Sequence, residues 1–256
     1  MTYILYPIYI PFIFLVANMV ILLAILVWNR LEGDKPSQAA KPVQRPPGQD
    51  LLDASDILGR EFEYARTTAS EAMQDRHTMI NFYLVATGVV ASGVIAVLKQ
   101  DADANLPKTA GTVLLWLLCG IGWLYFLKLI RLRQAWHDSA RAMNQIKDFY
   151  IQHAKDFEPE MLRSAFRWKP ETLPPPDKPW TVFFYSATLI GFLDSVAYVA
   201  GGTLLALDAA GSPPSSVLGL LTLFGLVFFA FHVWLYFAFL KPKPSSETTG
   251  DVQKAG

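Results

Sequence analysis

The sequence predicts an all-α integral membrane protein with five transmembrane helices, its N-terminus outside and its C-terminus in the cytoplasm. A cytoplasmic antiparallel helical hairpin is expected to extend from spans two and three. Three observations predict this. Apolar residues make up 52% of the 256 positions, and they gather in five runs, Tyr3–Trp28, Met79–Leu98, Ala110–Leu129, Trp180–Leu207 and Val217–Leu240. Each is long enough to cross the roughly 30 Å hydrocarbon core of a bilayer as a helix. Basic residues are placed asymmetrically: of 22 Lys and Arg, only Lys99 and Lys108 fall in the loops "KQDADANLPKT" and "DAAGSPPSS", which puts those loops outside. The stretches flanking spans two and three on the basic side keep a three- and four-residue apolar period, so those helices continue beyond the membrane.

The first run opens the chain. "MTYILYPIYIPFIFLVANMVILLAILVWNR" lacks a basic leader and a small-x-small cleavage site, so residues 1–30 read as a retained anchor rather than a cleaved signal peptide. Pro7 and Pro11 are expected to kink its first turns. Residues 31–50 carry four prolines and two glycines without apolar periodicity and read as an extended tether. On that tether the first span is free either to reach a partner or to pack on its own bundle. Trp28, Trp123, Trp180 and Trp234 lie towards the cytoplasmic ends of four spans, where interfacial anchors are common.

From residue 51 the pattern becomes amphipathic. Leu51, Leu58, Phe62, Ala65, Ala69 and Ala72 form one stripe, Asp50 can cap the helix start, and Asp53 and Asp56 suit its positive end. No breaker intervenes before span two, which predicts one helix from about 51 to 98. Span three leaves the membrane in the same way, with Leu132, Trp136, Ala140, Met143, Ile146 and Tyr150 on one face. Joined by a short loop, the two helices must run antiparallel over residues 51–155. At the membrane edge Glu71 and Asp75 lie level with Arg131 and Arg133, so cross-helix ion pairs are expected there, each worth under about 1 kcal/mol. Residues 156–179 form a connector with one short helix expected at "EMLRSAFRW". Spans four and five make a second hairpin over 180–240, and 241–256 read as a disordered tail.

The segments "EYARTTASEAMQDRHTMINFYL" and "RLRQAWHDSARAMNQIKDFY" resemble the SLATT-type two-transmembrane families of bacterial conflict systems. The resemblance is one of pattern and covers about residues 51–155. It implies a pore-forming or membrane-perturbing effector. This chain adds a span before that unit and two after it.

Polar groups inside the spans are the candidate functional residues, because an intramembrane charge is costly unless paired or hydrated. On span four, Ala187, Gly191, Asp194, Tyr198 and Gly201 share a small, polar face, opposite Ile190, Leu193, Val196 and Val199. Small residues let helices approach, so Asp194 is expected to point into protein. Span five offers Thr222, Gly225, His232 and Tyr236 on one stripe. Counted from their outer ends, Asp194 and His232 differ in depth by about 3 Å. An Asp194–His232 contact is expected, with Tyr198 and Tyr236 as further hydroxyl partners. Three roles remain open for it: a fastener between spans four and five, a proton relay, and ligation of a pigment or haem through His232. The third lacks a second histidine at matching depth, so no cofactor and no metal is expected. His137 and His153 read as surface residues.

Composition narrows the function classes. The net charge is zero, which offers no footprint for nucleic acid. The single cysteine, Cys119, lies in span three, which rules out an internal disulfide or a Cys-based zinc site and suggests an apolar packing role. No Gly-rich phosphate loop, HExxH or Ser-His-Asp pattern stands out, so the reading favours a non-enzymatic protein of the bacterial inner membrane. The first expectation is an accessory or scaffolding subunit in contact with lipids and with other membrane subunits or itself. A self-assembling pore or effector comes next, then a proton-coupled relay or transporter built on Asp194 and His232.

Overall fold

A computed structural model describes residues 2–33, 54–99, 105–153, 173–207 and 213–241. The described residues are all-helical, without strands. They form α1 (Thr2–Gly33), α2 (Ala54–Leu98), α3 (Asn105–His153), α4 (Val182–Ala206) and α5 (Ser215–Leu240). All five are long and apolar enough to cross a membrane, the architecture of a multi-pass membrane protein. The Asp50 cap, the bulk of the 31–50 tether, the "EMLRSAFRW" helix and most of the tail lie outside the described residues. Helix α1 continues without interruption through Pro7 and Pro11 and on to Gly33.

Helices α2 and α3 pair antiparallel along their length. Lys147 lies over the Phe62 ring at one end, Tyr83 meets Tyr125 midway, and Val94 packs beside Gly111 at the other. The small side chains of Ala65, Ala69 and Ala72 are buried along this seam and let the two backbones approach. The expected apolar face of α3 is shifted in its outer half. Tyr150 is exposed, while the polar side chains of Ser139 and Asn144 are buried.

Helix α4 is the centre of the bundle and packs against α3, α5 and α1. Its buried positions include the face of Ala187, Gly191, Asp194, Tyr198 and Gly201, but also Ile190, which had been read on the opposite side. The outward face runs instead through Val182, Tyr185, Leu189, Phe192 and Val196. The consecutive glycines at 201 and 202 mark close approaches. A Cβ on Gly201 would stand 2.7 Å from Trp116 Nε1, and one on Gly202 would stand 2.8 Å from Leu221 Cδ2.

Helix α1 packs against α4 and α5. Phe14 stacks on Trp116 and Tyr198, Phe12 meets Phe224, and the Tyr198 hydroxyl donates to the Pro11 carbonyl at 2.9 Å. The first helix therefore rests on its own bundle.

The expected ion pairs form differently at the end of the membrane bundle. Asp75 meets Lys128 at 3.8 Å, both half-exposed, rather than either arginine. Arg131 is exposed and donates to Gln134 on its own helix, and Glu71 makes no ion pair among the described residues. Arg133 is buried and turns towards main chain, where Nε donates to the Pro176 carbonyl at 3.1 Å and a terminal nitrogen donates to Pro175 at 3.2 Å. Its guanidinium also lies over Trp136 and Phe183. The physical reason is local supply. A proline-rich segment cannot use its carbonyls in a helix, and a planar fork of donors satisfies two of them at once. That grip leads into Trp180, whose φ of 63° is rare for a bulky residue, and then into Thr181, which caps α4 by accepting from the Phe184 amide.

Candidate functional site

Four helices converge on Asp194, at the middle of the 25-residue α4. The Asp194 side chain is fully buried, as are Tyr83 of α2 and His232 of α5. Tyr83 donates its hydroxyl to Asp194 Oδ1 at 2.5 Å. His232 Nε2 stands 3.3 Å from Asp194 Oδ2, and neither atom has another polar partner. The thiol of Cys119 on α3 donates to the Asp194 carbonyl at 3.2 Å.

The histidine is held by its other nitrogen. Nδ1 stands 2.9 Å from the Phe228 carbonyl, one turn earlier on α5. A carbonyl only accepts, so Nδ1 carries a proton and Nε2 is the nitrogen left to face Asp194. The ring is boxed by aromatics. Trp123 stacks on it with centroids 3.9 Å apart, and Phe126 and Phe228 meet it edge-on. Trp123 is thus a buried wall of this site rather than an interfacial anchor, while Trp28, Trp180 and Trp234 are exposed. Stacking on imidazole occupies the indole face that lipid headgroups would otherwise contact.

Two glycines make room for the acid and the base. A Cβ on Gly122 of α3 would collide with the Asp194 carboxylate, and one on Gly191 would stand 2.8 Å from His232 Cβ. Gly191 belongs to the polar face read from the sequence, whereas Gly122 and Tyr83 were not singled out there. The "CGIG" of span three, with its run of small residues, was the available signal for Gly122. Tyr83 sits in "INFYLV" near the span edge and looks like an ordinary interfacial aromatic.

The two tyrosines expected beside the pair lie elsewhere. Tyr198 is one turn along α4, yet its hydroxyl goes to Pro11. Tyr236 is buried against Phe184 and Phe237. The Tyr236 hydroxyl instead lies towards Thr181 and Arg133, at the end of the bundle where α4 begins.

The arrangement can hold a proton between an acid and a base, and it can lock four helices together. Among the described residues no group of three or more His, Cys, Asp or Glu could hold a metal ion. His137 is half-buried beside Asp138 on the outer part of α3. No family model matches the chain, and no curated protein or solved structure is significantly similar to it.

Proposed function

We propose that this protein is a non-catalytic accessory subunit that docks to a larger membrane assembly. Its helices α1, α4 and α5 and the apolar halves of α2 and α3 lie in the bacterial inner membrane. The charge asymmetry of the loops orients the N-terminus outside and the C-terminus inside.

The observation that carries the reading is the arm made by the outer halves of α2 and α3. The α2–α3 pair continues past the end of the apolar bundle as two helices, and the α2 part, residues 54–78, extends about 37 Å. Its helices meet through Ala65, Ala69 and Ala72, with Leu58, Phe62, Met73, Trp136 and Met143 half-buried beside them. The arm keeps Ile57 and Tyr64, a heptad apart, exposed. A notch of about 140 Å³ opens beside Trp136, Met143 and Asn144. An arm with outward apolar residues at heptad spacing suits helix-to-helix docking.

Purification in mild detergent from native membranes tests this. A heterologous subunit in fixed stoichiometry supports docking. A clean homo-oligomer that releases ions from liposomes favours the pore-forming reading suggested by the SLATT-like hairpin and overturns this one.

A further inference from the structure

The Tyr83–Asp194–His232 cluster has a proton count that its geometry nearly dictates. Tyr83 uses its only hydrogen on Asp194 Oδ1, and His232 uses its Nδ1 hydrogen on the Phe228 carbonyl. The remaining contact is between Oδ2 and Nε2, 3.3 Å apart, with no third polar atom in reach. With no proton there, two lone-pair atoms would face each other and the carboxylate would be an uncompensated anion inside the bundle. With two, the site would carry an unpaired imidazolium. Either charge is unfavourable in an enclosed, low-dielectric setting. One proton leaves the site neutral in both its forms, carboxylic acid with imidazole or carboxylate with imidazolium. The other titratable groups on the helices around it, Cys119 on α3 and Tyr198 on α4, are a thiol and a phenol and supply no compensating charge. Trp123 stacks on the ring and suits either form.

Aromatic and small residues close around the site. Trp123, Phe126 and Phe228 enclose His232, and Gly122 closes on the carboxylate. On the α2 side the Tyr83 ring packs against Tyr125. Tyr125 in turn lines an open groove of about 340 Å³ together with Met79, one turn from Tyr83, and the charged side chains of Asp75 and Lys128. Tyr83 itself does not line that groove and is fully buried.

We propose that Tyr83, Asp194 and His232 form a proton-binding site that holds one proton between Asp194 and His232. The site stands apart from docking by the arm and holds whether or not a partner is bound.

The test uses the full chain in lipid nanodiscs at about pH 8, where solvated carboxyls are ionised. Nitrogen NMR of labelled histidine reads the protonation of His232, and the infrared carbonyl stretch of a protonated carboxyl reads Asp194. The proposal expects one proton in total: either a protonated carboxyl with Nε2 bare, or an ionised carboxyl with both ring nitrogens protonated. A carboxylate beside a neutral ring, or a protonated carboxyl beside an imidazolium, overturns it. These readouts need only the unmutated protein.

Discussion

At the residue scale, Asp194 is explained by what it touches. Its two oxygens and the Tyr83 and His232 side chains around it account for one another, so removing the acid strands its partners. Asp194→Leu leaves the Tyr83 hydroxyl and His232 Nε2 buried without partners and is expected to cost about 2–5 kcal/mol of stability. Asp194→Asn keeps an acceptor for Tyr83 and supplies an N–H to Nε2, so a loss within about 1 kcal/mol is expected. Unfolding in a fixed detergent compares the two, and equal losses would contradict a hydrogen-bonded role. Gly122→Ala drives a methyl into the carboxylate and is expected to cost about 1–3 kcal/mol as overpacking. Gly120→Ala, two positions away with open space around it, should cost little in the same assay. Partnership of Asp194 with His232 was legible in the sequence because these are lone ionisable groups at matched depth in adjacent spans. Tyr83 was not, since its role depends on how α2 rotates against α3, and a span that is apolar nearly all round does not encode that rotation.

At the element scale, two attachments use main-chain carbonyls. Tyr198 ties α1 to α4 through Pro11. Tyr198→Phe removes that hydrogen bond and should loosen α1 by about 1 kcal/mol, seen as faster amide exchange in α1 with α4 and α5 unchanged. Uniform change across all helices would show that the bond does not act on α1 alone. Arg133 holds Pro175 and Pro176 and so sets the entry of the chain into α4. Lysine carries the charge but not the fork. Arg133→Lys is expected to cost about 1.5–3 kcal/mol and to expose the 173–181 segment to limited proteolysis. Both attachments escape sequence reading for one reason. Helix periodicity ranks side chains by face, and a carbonyl that accepts from a distant residue leaves no mark in that pattern. The misplaced ion pairs show the same limit: level positions on two helices brought Asp75 to Lys128, while the proline-rich connector, distant in sequence, claimed Arg133.

At the scale of the whole molecule, the five helices, their order and the antiparallel α2–α3 pair follow from apolar runs, loop length and amphipathic stripes. These features were legible because each rests on tens of residues acting together. The packing of α1 was not legible, as its apolar surface is nearly uniform and shows no preferred face. The buried polar cluster then supplies the specificity that uniform apolar helices lack, fixing α2, α3, α4 and α5 in one register around Asp194. A bundle fixed in this way is a rigid base for the arm, and rigidity lowers the entropic penalty of docking. The arm is where the account is most exposed to test. A photo-crosslinking residue placed at Ile57 or at Tyr64, in cells expressing the protein at native level, reads what lies against it. The account predicts one reproducible heterologous membrane protein at both positions and none from a control at the lipid-facing Val89. Crosslinks only to further copies of this chain, or none at either position, would contradict it.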